Sequence, residues 1–73
     1  MIPPAEKILD HLGKQVSVEL KNRHFITGKL VFYHLTEQTV HLSEWNEYDE
    51  KEVLVRQGVF MIVNRTAWFQ LYL

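Results

Sequence analysis

Between Val16 and Leu30 the chain alternates apolar and polar side chains in two short runs around a polar break. Val16, Val18 and Leu20 are separated by Ser17 and Glu19, and Ile26, Gly28, Leu30 and Phe32 resume the alternation after Lys21-Asn22-Arg23-His24. A period of two is the mark of a strand with one face in a core and the other in solvent. Asn22 readily takes turn geometry, so the pair reads as an antiparallel hairpin. Gly28 stands where a large side chain is expected. A glycine inside a strand marks a sharp bend or a close backbone approach, so the sheet built on this hairpin is expected to bend strongly.

The remaining chain fills in around that hairpin. Residues 4–12 read as a short helix, with Pro4 in the first turn, Gly13 just past the end, and Ala5, Ile8, Leu9 and Leu12 at helical spacing. Strands are expected over about 15–21, 25–34, 39–45, 52–63 and 67–73. Val40 and Leu42 are the expected core residues of the third strand. Residues 46–51, Asn-Glu-Tyr-Asp-Glu-Lys, read as a solvated acidic loop. Trp45 and Tyr48, near its tip, are candidates for a partner contact. The fourth strand looks apolar on both faces, with Val53, Val55, Val59, Met61 and Val63 against Leu54, Phe60 and Ile62. The fifth does too, with Trp68 and Tyr72 against Phe69, Leu71 and Leu73.

That ending matters because the chain is short. A core built from 73 residues is marginal without staples, metal or association. There is no cysteine, so disulfides are excluded. The four histidines lack the cysteines and tight spacing of a zinc site, so no metal is expected. Long apolar edge strands are hazards unless a neighbour covers them, and a head-to-tail strand contact repeated by rotation closes into a ring. The net charge of −1 provides no bulk basic footprint for nucleic acid. The N-terminus has no long apolar run, so neither a signal peptide nor a membrane span is expected, and a cytoplasmic location is the default. Lys14 lacks the upstream glycine loop of a phosphate site. Ser17 and Ser43 have no base-and-acid arrangement, so catalysis and a cofactor are not expected.

The order of helix and five antiparallel strands, with glycines at 13 and 28, resembles the Sm-like superfamily. Its most specific part is V-S-V-E-L-K-N-R-H-F-I-T-G-K-L, Val16 to Leu30, which is similar to the first Sm motif. V-N-R-T-A-W, Val63 to Trp68, resembles the second motif more loosely. The resemblance implies a mainly β fold: a short N-terminal helix and a five-stranded, strongly bent antiparallel SH3-like barrel. It also implies a homo-oligomeric ring of six or seven subunits, the fourth strand of one pairing with the fifth of the next. Phe60, Met61, Ile62 and Val63 would then meet a neighbour's Trp68, Phe69 and Leu71. Such rings bind uridine-rich or adenine-rich single-stranded RNA around the pore. The matching positions here are His34, Gln38 or Thr39, and Asn64-Arg65. These differ from the family's usual Asp, Asn and Arg-Gly, and Arg23 replaces the glycine of the first turn. Two readings follow: a ring binding RNA through His34, Gln38, Thr39, Asn64 and Arg65, or an oligomeric scaffold for protein interaction without RNA.

Overall fold

The computed structural model describes residues 2–73. Helix α1 spans Ala5–Leu9, and strands β1 to β5 span Gln15–Leu20, Phe25–His34, Thr39–Tyr48, Leu54–Val63 and Trp68–Tyr72. The strands form one antiparallel sheet in the order β4-β3-β2-β1-β5. The expectation of a mainly β chain with a short leading helix and a five-stranded bent sheet is met.

The helix is shorter than its apolar spacing predicts. After Leu9 the chain tightens into three-residue steps, with His11 N donating to Ile8 O and Leu12 N to Leu9 O. Gly13 then takes a left-handed φ of 83° and its N–H donates to Leu30 O at 2.7 Å. Of the apolar stripe only Ile8 is buried.

The bend comes from inserted residues. Four of the five strands carry one more residue than their partner at some point of the ladder. In β2 it is Val31, between the pairs Leu30–Leu42 and Phe32–His41. In β3 it is Glu44, opposite Gly28 and held at a φ of 49°. In β4 it is Val55, and in β5 Phe69. Each such bulge kinks its strand and turns the side chains beyond it to the other face. All four inserted residues are exposed.

This corrects the simple alternation. Phe32, expected in register with Leu30, turns outward, and Tyr33 enters the core. Trp68 and Leu71, three residues apart, both face inward because Phe69 is the residue left over. β3 runs on to Tyr48, so the acidic loop shrinks to residues 49–53. Trp45 is buried rather than a loop-tip contact. β4 is not apolar-buried on either side: only Val63 is fully enclosed, with Met61 packed partly against the core.

Two glycines make the bend possible. A Cβ on Gly28 would lie 3.2 Å from both Leu42 Cβ and Ser43 O, so β2 and β3 approach closely there. At Gly58 a Cβ would stand 2.8 Å from the Trp45 ring, which lies flat against the β4 backbone.

Beside Trp45 sits the one buried carboxylate among the described residues. Glu47 accepts from His24 Nδ1 at 2.6 Å and from Arg56 Nε at 2.9 Å and Nη2. Its neighbours come from the first turn and from β4, so the contact ties three parts of the sheet. Burial by itself raises the Glu47 pKa, but the hydrogen bonds from His24 and Arg56 and their charges outweigh it. The carboxyl is held below its usual 4.5. The ionised form therefore contributes stability that is complete above the ordinary glutamate value and is lost as pH falls through the lower folded-state value.

Two outcomes are expected. Gly58→Ala must displace the Trp45 ring and lowers stability by about 1–3 kcal/mol, the usual cost of overpacking; a urea midpoint equal to the parent's would show that the indole has room to move. Glu47→Gln lowers stability at pH 7 by about 1–3 kcal/mol. That deficit shrinks as pH drops below 4.5, because the parent then loses its own ionised carboxylate. A deficit that stays constant down to pH 3 would contradict the assignment.

Candidate nucleic-acid interface

Two short turns meet at one end of the sheet. The first, residues 35–38, links β2 to β3, and the second, residues 64–67, links β4 to β5. Gln38 closes the first turn with a left-handed φ of 54°, its N–H donating to His34 O at 2.7 Å. Ala67 N closes the second by donating to Asn64 O at 2.9 Å.

Trp68 joins them. Its ring is fully buried, and Nε1 donates to Gln38 O at 2.9 Å. Arg65 lies over the same indole, with its guanidinium carbon 4.3 Å from the ring centroid, and Nη1 donates to Trp68 O at 2.6 Å. A guanidinium laid on an aromatic face is attracted by the ring's negative π cloud. Tyr33 completes the cluster. Its burial raises the phenol pKa, against the smaller opposing effects of the Arg65 charge and a hydrogen bond with Gln38.

The expected site residues divide under this geometry. Gln38 and Arg65 are brought together through Trp68. His34 and Thr39 are paired across the β2–β3 ladder at the mouth of the first turn. His34 Nδ1 accepts from Glu37 N at 3.2 Å, while Thr39 is buried. Asn64 is exposed at the start of the second turn. Arg65 also borders an open hollow with Ile2, Lys21, Thr66, Phe69 and Gln70, beside the outer edge of β5. His34, Gln38, Thr39 and Asn64 lie outside that hollow. Nothing in the sequence marks Tyr33 as part of the cluster, because its inward turn depends on the Val31 bulge. Trp68 reads only as a core or interface residue until its indole N–H is seen to reach Gln38.

The expected interface residues divide as well. Val63, Trp68 and Leu71 are enclosed in the chain's own core, and Met61 packs partly against it. Phe60, Ile62 and Phe69 are 55%, 52% and 58% exposed, and Val59 is 80% exposed. They sit on β4 and β5, the two outer strands, each hydrogen-bonded to a neighbour on one side only. Among the described residues, twelve apolar side chains make the core and fourteen large ones remain exposed. Seven of the fourteen, Leu54, Val55, Val59, Phe60, Ile62, Phe69 and Tyr72, lie on the two outer strands.

Among the described residues, no three His, Cys, Asp or Glu side chains come together as a metal site. Among the described residues, no helix is long and apolar enough to cross a membrane.

No family model and no curated protein matches the sequence. Solved structures do match the fold. An Sm protein of Pyrococcus abyssii in complex with a uridine heptamer superimposes with a TM-score of 0.86 at 23% identity, over 96% of each chain. A heptameric archaeal Sm protein matches with a TM-score of 0.81 at 22% identity, over 93% of this chain and 96% of its own. A chain of the NatC complex bound to Gag peptide and CoA matches with a TM-score of 0.77 at 18% identity, over 90% of this chain and 89% of its own. The sheet order, leading helix and bent strands described above are therefore those of the Sm fold.

Proposed function

We propose that this Sm-fold chain assembles into a homo-oligomeric ring and binds single-stranded RNA at the two joined turns. The observation that supports the reading is the Trp68 link: its indole N–H bonds the Gln38 carbonyl and its ring carries the Arg65 guanidinium. The fold is shared with a protein solved with a uridine heptamer. In this reading Arg65, stacked and partly anchored, presents its remaining N–H groups to a base edge or phosphate. His34 offers a ring for stacking, and Gln38, Thr39 and Asn64 supply amide and hydroxyl groups. Stacking with a few edge hydrogen bonds is how single-stranded RNA is usually read. With a formal charge of −1 per subunit, each contact is weak, and repetition around a ring raises the overall affinity.

The ring would form by pairing the outer edge of β4 with the outer edge of a neighbour's β5. The backbone supplies the ladder, and Phe60, Ile62 and Phe69 supply the apolar surface. The two edges differ, so the contact is head to tail and closes by rotation into a ring of six or seven subunits. Each subunit contributes its bent sheet to the continuous barrel-like wall. A non-enzymatic, cytoplasmic protein completes the reading.

A second reading is an oligomeric scaffold that engages other proteins without RNA. The fold likeness to a chain of the NatC complex favours it. So does the engagement of Arg65 with Trp68, which leaves fewer donors for a ligand.

Native mass spectrometry tests the assembly: a closed oligomer is expected at micromolar protein, and Phe60→Asp or Phe69→Asp reduces it to monomers. Intact oligomers in both variants would place the contact elsewhere. For RNA, short uridine-rich or adenine-rich oligonucleotides are expected to bind with an affinity that falls as salt rises. Arg65→Ala weakens binding by at least about fivefold, on the scale of a lost charge-assisted hydrogen bond. Absence of salt-dependent binding by an intact ring would leave the scaffold reading.

A further inference from the structure

The outer face of the central strands carries a groove that neither the turns nor the open edges use. Phe25 of β2 and Tyr48 of β3 are direct partners across the ladder, on the side opposite buried Ile26 and Glu47. Tyr72 of β5 brings its ring centroid to 6.2 Å from that of Phe25, and its hydroxyl donates to Glu19 Oε1 at 3.0 Å. Ser17 and Thr27, paired across β1 and β2, line the same hollow. Glu50 and Glu52, both exposed on the β3–β4 turn, flank it, and the hollow measures about 640 Å³. Asp49 also borders it, but its Oδ1 accepts from Lys51 N and Val53 N and so holds the turn.

Among the described residues no lysine or arginine lines this groove; Lys21 and Arg23 border the adjoining hollow, which shares Phe25 and Glu50 with it, so Glu52 is the rim carboxylate farther from those cations. Its chemistry is two-part: aromatic faces on the floor, carboxylates at the rim. Aromatic faces attract cations through their π clouds, and a carboxylate pairs with a guanidinium through two parallel hydrogen bonds. Phosphate is disfavoured, because Glu50 and Glu52 meet it with like charge. An apolar helix face is equally ill-suited, because the polar Ser17 and Thr27 share the surface.

We propose that this groove is a docking site for an arginine-bearing extended segment of a partner protein. A guanidinium lies against Phe25 and Tyr48 and pairs with Glu50 or Glu52. Arginine fits better than lysine because its planar fork both stacks and bonds in two places. The proposal does not depend on RNA binding, since the groove shares no residue with the joined turns. It also leaves ring assembly untouched, since Phe60, Ile62 and Phe69 lie outside it.

The test is titration of the assembled protein with a fluorescein-labelled peptide of alternating glycine and arginine, followed by anisotropy and by amide chemical shifts. Saturable binding is expected, with the largest shifts at Phe25, Thr27, Tyr48 and Glu50. Combined Glu50→Gln and Glu52→Gln substitution, both on an exposed turn, weakens binding at least fivefold, and Tyr48→Ser does likewise. Arg65→Ala leaves peptide binding unchanged, which separates this site from the RNA reading. No saturation up to about 1 mM peptide, full affinity in the double glutamine variant, or shifts confined to another surface would each overturn the proposal.

Discussion

A strand that gains one residue turns every later side chain to its opposite face. This chain does so at Val31, Glu44, Val55 and Phe69, and the rest of the structure follows from those four insertions. They let a strand keep facing the core along its length while the buried positions shift from even to odd numbers. Val40 and Leu42 face the core before Glu44, and Trp45 and Glu47 face it after. Trp68 and Leu71 reach it together because Phe69 does not. Bulges also increase local twist, so among the described residues five strands of one sheet wrap around twelve enclosed apolar side chains. The glycines are subordinate to this: Gly28 admits the close approach opposite Glu44, and Gly58 admits the Trp45 ring.

The same bend decides what remains outside. β4 and β5 stand at opposite ends of the sheet order, and each keeps one unpaired edge. A flat sheet would leave those edges far apart and facing away from each other. In a bent one they flank the same core, with Phe60 and Phe69 exposed along them. Bending also carries the 35–38 and 64–67 turns to one end, where the Trp68 N–H spans from β5 to Gln38 O. The polar cluster at the turns and the apolar edges thus share a structural cause.

Legibility in the sequence divides along the same line. The hairpin from Val16 to Leu30 is plain in its alternation, and the glycine within it correctly marks a close approach. Five strands and a leading helix are also plain, because turn residues separate apolar runs. The extent of β3 is not. Asn46, Glu47 and Tyr48 look like a solvated loop because an isolated glutamate belongs in water; only its pairing with His24 and Arg56, distant in sequence, allows burial. In the candidate site, Gln38, Asn64 and Arg65 are visible through their resemblance to a known pattern. Tyr33 is hidden, because period-two counting places it on the wrong face beyond Val31.

Local pattern by itself determined the elements, their order, the first hairpin and the excess of apolar surface near the end of the chain. These depend on neighbours a few residues apart, whose periodicity is written directly in the chain. Tertiary structure alone decided which residues the bulges omit, which aromatic rings turn inward, and that Trp68 bridges two turns. It also set Phe25, Tyr48 and Tyr72 on one outer face. Such outcomes depend on register between strands, and register is a property of pairs: a one-residue slip costs little in local propensity but reverses every face that follows.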